Sequence, residues 1–367
     1  MSEVVAEVRG EAGLLTLARP KALNALSLQM IRELTAALRA WRDDPEVKLV
    51  ALRGMGREGP FGAFCAGGDI RFFHQAVLAG DPRLEDFFTE EYVLNHLIHV
   101  YPKPFVVFMD GIVMGGGMGI SGHGAFGSLR IVTERTKMAM PETNIGLFPD
   151  VGGGWFLAHL CPPGVGEYLG LTGNLIGGND ARIAGLADGL LPVAELEGAW
   201  QRLGSAGGAA FLKELRQRFS ATPPDFGTGE LAGRGDDIAR IFTLPSVREM
   251  VAALEAEGGS AWAVETAAVL RKRSPLMLHV SLRLIRTARG LSLADELRLE
   301  RDLVRHAFHL RPGTASETME GIRALVIDKD QAPRWNPARI EDVSAEMVDA
   351  FFAPPWPRDA HPLRHLT

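Results

Sequence analysis

Cysteine is nearly missing from this chain: 367 residues contain only Cys65 and Cys161. Two thiols so far apart exclude a disulfide framework and give no metal-ligand spacing, so a reducing compartment, read here as the cytoplasm, is expected. An excess of basic residues is also missing. The formal net charge of -6 argues against a nucleic-acid partner. Long apolar runs are absent too, since the most apolar region, 105–127, is interrupted by Asp110 and by glycines. No membrane partner is expected from runs this short. Glu3, Glu7 and Arg9 break up the first residues, which read as a strand, not as a secretory leader or transit sequence. His74, His96, His99 and His123 follow no metal-binding spacing, and no metal site is expected. What remains is 46% hydrophobic and 23% charged, the composition of a folded chain long enough for a large core and two subdomains.

Residues 3–9 and 13–18 predict two short strands joined through Gly10–Gly13. A helix follows, with Ser27 as N-cap and Ile31, Leu34, Leu38 and Trp41 at helical spacing up to Asp43-Asp44-Pro45. Strands are expected over 47–53 and 105–109, the second apolar enough to be covered on both faces. This alternation is that of an α/β layer with crossover connections. After about Gly204 the character changes. Small and glycine-rich at 205–210 and rich in proline and glycine at 221–235, the chain then reads as helices near 245–257, 260–273, 275–289, 292–310 and 315–328. Ser274-Pro275 provides an N-cap with proline at the first helical position, and Ser292 with Asp295 resembles a capping box. The division expected is an α/β core over 1–205 and a mainly helical region with an irregular tail over 206–367.

Four places could carry chemistry. In Phe64-Cys65-Ala66-Gly67-Gly68-Asp69-Ile70, adjacent glycines let backbone approach a ligand, although a tight turn capped by Asp69 would also account for them. Cys65 has no charged neighbour in sequence and reads as a small buried thiol, not a nucleophile. Met114-Gly115-Gly116-Gly117-Met118-Gly119 lacks the lysine and hydroxyl of a phosphate loop and the spacing of a dinucleotide fingerprint. Its glycines serve either close packing or an N–H offered to an acyl oxygen. Pro141-Glu142 to Asp150-Val151-Gly152-Gly153-Gly154 sets two carboxylates among apolar residues, where burying an unpaired one costs several kcal/mol. Asp150 could instead cap a helix beginning near Val151, and Glu142 could lie in an exposed loop. Glu90-Glu91-Tyr92 falls on an amphipathic helix with Leu94, Leu97 and Ile98, where acids are usually solvated.

Taken in order, these motifs resemble the crotonase (enoyl-CoA hydratase/isomerase) superfamily. Arg19-Pro20-Lys21-Ala22-Leu23-Asn24-Ala25-Leu26, Phe64 to Ile70, and Gly115-Gly116-Gly117 are similar to its successive signatures. Within it, Met140 to Gly154, Glu91-Tyr92, Ser274-Pro275 and Asp328 to Pro337 resemble the 3-hydroxyisobutyryl-CoA hydrolase group over nearly the whole chain. The resemblance implies an α/β fold, a crotonase-like spiral of ββα units with an α-helical C-terminal region. It implies that the Gly68 and Gly116 N–H groups form an oxyanion hole, that Glu142 is the catalytic carboxylate joined by Asp150, and that Glu91 lines the substrate pocket. Arg19, Lys21 and Ala22, with Ala66, Gly67, Gly68, Asp69 and Ile70, would hold coenzyme A, which is part of the substrate; no separate cofactor is implied. Relatives of this kind also self-associate, so a homo-oligomer is expected.

Hydratases of the superfamily use two glutamates. The first would fall where this chain has Gly119, the second matches Glu142, and at the position of Asp150 they carry glycine. The expected activity is therefore hydrolysis of a short 3-hydroxyacyl-CoA thioester, 3-hydroxyisobutyryl-CoA above all. The alternatives are an enoyl-CoA hydratase or isomerase and a non-catalytic acyl-CoA-binding protein. The segment from Gly124 to Thr133 reads about three residues longer than the hydrolase pattern.

Overall fold

A computed structural model describes residues 2–125 and 127–367. Two compact units interleave along the chain. The first takes residues up to Gly68, Val93–Ala139 and Leu175–Arg234; the second takes Asp69–Tyr92, Met140–Asn174 and Gly235–Thr367.

Within the first unit the strands are β1 Val4–Arg9, β2 Ala12–Leu17, β3 Leu49–Gly54, β4 Phe105–Met109, β5 Ile112–Met114, β6 Leu129–Val132, β7 Lys137–Ala139, β8 Ile176–Gly177 and β9 Gly189–Leu190. β1 and β2 form the expected antiparallel hairpin, turning at Gly10, whose φ of 57° suits glycine. From β2 onward the main sheet is parallel, in the order β1-β2-β3-β4-β6-β9, while β5, β7 and β8 make a second small sheet. β2 and β4 are buried along their whole length, as strands covered on both faces must be. The helix Leu28–Arg42 begins at Ser27, whose hydroxyl accepts from Met30 N at 3.1 Å, and buries the apolar positions read from its spacing.

The segment 206–234 belongs with the sheet, not with the helical region, which moves the expected boundary at 205. Its reason lies in the helix Gly208–Ser220, which the glycines before it mask in the sequence. Phe211, Leu212, Leu215 and Phe219 recur at helical spacing and join Leu14, Ala51, Val106, Phe108, Ile131 and Trp200 in one core. Burying each such side chain contributes about 1.5–3 kcal/mol. Ahead of β6, in the segment from Gly124 to Thr133, Arg216 donates to Gly127 O. Phe126 of that segment lies outside the described residues.

The second unit is helical. Val247–Ala256, Ala261–Lys272, Pro275–Ala288 and Leu293–His309 match the expected helices to within three residues. Ser274 and Ser292 act as their caps, accepting from Met277 N at 3.3 Å and Asp295 N at 3.2 Å. Pro275–Ala288 is largely buried and packs on Gly153–His159 and Val165–Thr172. A side chain at Gly154 would collide with Leu284, and one at Gly170 with Ile285, so these glycines allow the close approach. The helix expected over 315–328 is α-helical only over Glu317–Ile322 and then widens into a π-helix, Arg323–Ile327. Among the described residues no helix is long and apolar enough to cross a membrane.

Candidate active site

In the second unit Glu142 opens a 3-10 turn, Glu142–Ile145, that ends at Gly146 with φ 67°. Glu142 O accepts from Gly146 N and from Leu147 N. A Cβ on Gly146 would lie 2.2 Å from Glu317 O, so only glycine can close this turn against the neighbouring helix. Glu142 is thereby buried, not exposed, and its Oε2 has no hydrogen-bond partner among the described residues.

Asp150 stands at a second sharp turn. Val151 has φ 60° and Gly152 φ 84°, and the N-cap of Gly153–His159 is Gly152, without a side-chain cap. The capping role weighed for Asp150 is therefore not the one it has. Its side chain, 5% exposed, accepts from Tyr92 Oη at 2.8 Å. Tyr92 and Glu91 are adjacent on the helix Arg83–His99, and both are buried. Glu91 is not among the solvated acids usual on such a helix: its Oε1 is buried without a hydrogen-bond partner among the described residues.

Glu91, Glu142 and Asp150 thus share one environment, and their electrostatics show it. Burial raises the Glu142 carboxyl well above its ordinary range, and the Asp150 charge raises it further. For Glu91 the causes are burial, then Asp150, then Glu142. Asp150 is pushed up by burial to about 7, opposed by the hydrogen bond from Tyr92. Burial followed by the Asp150 charge likewise raises the Tyr92 phenol. A carboxylate held this way is a stronger base or nucleophile once it ionises. Among the described residues no group of three or more His, Cys, Asp or Glu side chains is placed to hold a metal ion.

A pH dependence of stability follows. Unfolded carboxyls release their protons near pH 4, whereas buried Asp150 keeps its proton to about 7. Between those values the unfolded chain binds fewer protons than the folded one, so this group's stabilising contribution falls as pH rises, by about 1 kcal/mol per pH unit. Urea midpoints measured from pH 5 to 7 should decline less steeply in Asp150→Asn than in the parent chain. Parallel declines would mean that Asp150 ionises normally.

The first unit carries the glycine motifs. Cys65 N donates to Ile112 O and Met114 N to Cys65 O; Leu26 N donates to Gly67 O and Ala66 N to Leu23 O. This ladder fixes the backbone on both sides of the two glycine segments. A Cβ on Gly67 would be 3.2 Å from Met114 O and 3.7 Å from Gly116 N, so the two glycine segments lie against each other. Gly116 is the first residue of the short helix Gly116–Gly119, and Gly117 packs on Cys65. Cys65 is buried inside this ladder, as expected for a structural thiol.

Of the residues expected at coenzyme A, Arg19 is occupied by Glu3 at 3.2 Å and by Ala25 O. Lys21 and Ala22 are exposed on the 3-10 turn Pro20–Ala22. Ala66, Gly68, Asp69 and Ile70 are partly exposed and Gly67 is buried; the Asp69 carboxylate caps Ile70–Ala79 through Phe72 N at 3.3 Å. Sequence reasoning overlooked Glu296 and Glu300, both fully buried. The signal was available: Glu300 falls seven residues after Leu293 and three after Leu297, on the apolar stripe of its helix.

A family model described as enoyl-CoA hydratase/isomerase matches residues 12–352. The chain is 41% identical over 367 residues to 3-hydroxyisobutyryl-CoA hydrolase, mitochondrial, of Gallus gallus, covering 96% of this chain and 89% of that protein. With 3-hydroxyisobutyryl-CoA hydrolase 1 of Arabidopsis thaliana it shares 39% over 358 residues, covering 96% and 91%. Among solved structures it is similar to a carnitinyl-CoA dehydratase from Mycobacterium thermoresistibile, with TM-score 0.83, 35% identity and coverage of 97% and 98%. An enoyl-CoA hydratase from Rhodobacter sphaeroides 2.4.1 gives TM-score 0.82, 38% identity and coverage of 96% and 98%.

Proposed function

The chain belongs to the enoyl-CoA hydratase/isomerase family and has the crotonase fold, and from that premise we propose that it hydrolyses 3-hydroxyisobutyryl-CoA to 3-hydroxyisobutyrate and coenzyme A. The observation that carries this reading is the second acid. Hydration needs an acid and a base about one double bond, yet the position of the first hydratase glutamate is Gly119, the last residue of a four-residue helix. Instead the chain has Asp150, buried and hydrogen-bonded to Tyr92 beside Glu91 and Glu142. Its near-full-length likeness at about 40% to proteins named as hydrolases supports the same reaction.

In this mechanism the Gly68 and Gly116 N–H groups accept the developing charge on the thioester oxygen. Glu142 either attacks the carbonyl carbon, forming a mixed anhydride that water then opens, or takes a proton from the attacking water. In both routes the carbon–sulfur bond breaks, water supplies the new oxygen, and the departing thiolate takes up a proton. Asp150 binds the substrate 3-hydroxyl and assists that proton transfer, while Glu91 lines the acyl pocket. Coenzyme A is bound through Arg19 to Ala22 and Ala66 to Ile70, and the reaction uses no other cofactor. A role in valine breakdown, cytoplasmic residence and self-association belong to the same proposal; the compartment reading rests on the scarcity of cysteine, while the animal relatives are named mitochondrial.

The second reading, an enoyl-CoA hydratase, is favoured by the names of the two solved structures. A single screen separates the two. Purified protein should release free thiol from 3-hydroxyisobutyryl-CoA and 3-hydroxypropionyl-CoA, the latter differing by one methyl, a difference of about 1–3 kcal/mol at most. It should leave enoyl absorbance of crotonyl-CoA unchanged. Loss of enoyl absorbance without thiol release would decide for the hydratase.

A further inference from the structure

Behind Asp150 lies a pair of acids that the reaction above does not use. Glu300 Oε2 accepts from Gly152 N at 2.8 Å, and its Oε1 from Gly154 N at 3.3 Å. One carboxylate therefore grips the turn immediately after Asp150 by two amides. That turn is costly: Val151 is β-branched and sits at φ 60°, a conformation worth at least about 1 kcal/mol of strain that persists only when its surroundings enforce it. Glu296, one helical turn before Glu300, lies against the same glycine, since a Cβ on Gly154 would be 2.4 Å from Glu296 Oε1. Both Glu296 oxygens are buried, and the groups that act on them are the Glu300 side chain and the Trp155 and Gly154 amides.

Two carboxylates in contact at such a place are stable only if a proton sits between them. Glu296 and Glu300 are within hydrogen-bonding reach of each other, and burial drives both upward, Glu296 to about 7. Among the described residues no cation is a leading influence on either. Arg301, the next residue, donates to Thr89 and Glu85. From the other elements on this helix, Glu317 bonds Ser274, Glu320 bonds Arg323, and Asp349 bonds Arg283. Asp302 on the helix itself faces His361. The titratable groups that act on the pair are Asp150 and, through its phenol, Tyr92.

We propose that Glu300 is a positioning residue for Asp150 and that Glu296 serves it by sharing one proton, so that the turn is held while the pair carries a single charge and loosens when the pair loses its proton. This rests on the thioesterase reading for its activity readout, but the pair itself does not. Glu300→Gln can accept only one of the two amide N–H groups, and kcat should fall about 10- to 100-fold, the cost of an ångström-scale misplacement. Glu296→Gln replaces the shared proton with a permanent N–H donor. It should retain more activity than Glu300→Gln, and the part of the alkaline fall in kcat expected of the parent chain that comes from the pair should vanish, leaving only the part set by Asp150. Carbon-13 titration of labelled glutamate carboxyls, without substrate, should show two coupled resonances in the parent chain and their loss in Glu296→Gln.

A parent chain with no alkaline limb, an unchanged limb in Glu296→Gln, or a full kcat in Glu300→Gln would overturn the proposal. If Glu300→Gln fails to fold, the titration and Glu296→Gln still decide it. Absence of thiol release from the parent chain would end the functional reading and leave the carboxyl titration to judge the pair alone.

Discussion

Glu142→Gln is expected to lower thiol release from 3-hydroxyisobutyryl-CoA by about 10²–10⁴-fold, the range of general acid–base help, with little change in melting temperature. An amide has nearly the shape of the carboxyl it replaces, and the turn around Glu142 is held by backbone bonds to its carbonyl oxygen, not by its side chain. An amide neither attacks a thioester nor takes a proton from water. Burial already disfavours the charge that the amide removes, so the exchange should cost the fold little. Assays that compare thiol release with circular dichroism and thermal melting in one preparation test both halves of the statement. A variant with near-parental turnover would remove Glu142 from the mechanism.

Asp150→Asn should show a different pattern. Its carboxyl accepts from Tyr92 Oη through Oδ2, and asparagine can keep that bond through its own oxygen while losing the second acceptor. Turnover of 3-hydroxyisobutyryl-CoA should drop by about 10²-fold, whereas that of the hydroxyl-free isobutyryl-CoA, expected to be slow in the parent chain, should fall much less. The ratio of kcat/KM for the two thioesters is the informative quantity. If it stays at the parental value while both rates fall together, Asp150 acts on the leaving thiol alone and does not read the hydroxyl.

What could be read from sequence was whatever is local. The hairpin, the cap at Ser27 and the helices begun by Ser274 and Ser292 follow from turn residues and apolar spacing within a dozen positions. Glu91, Glu142 and Asp150 were named by motif, but their shared burial was not legible. The Tyr92–Asp150 bond spans 58 residues and the Glu300–Gly152 bond 148. Periodicity has no means of reporting such distances. The same limit hid the membership of Gly208–Ser220 in the sheet's core, since its leading glycines resemble a linker until Phe211 and Phe219 are seen against Trp200 and Phe108. For Asp150 the local signal pointed the other way, to a cap, and the tertiary partner Tyr92 prevailed.

Gly146 carries a consequence for how the molecule is made. The backbone oxygen of Glu317 occupies the space that any side chain there would need, so the bend that presents Glu142 is moulded by a stretch translated more than 170 codons later. Competence is therefore expected only once Glu317 has been added. A nascent chain has every acid of the cluster before it has the template that gives the first of them its shape, and a prematurely terminated product is left inert.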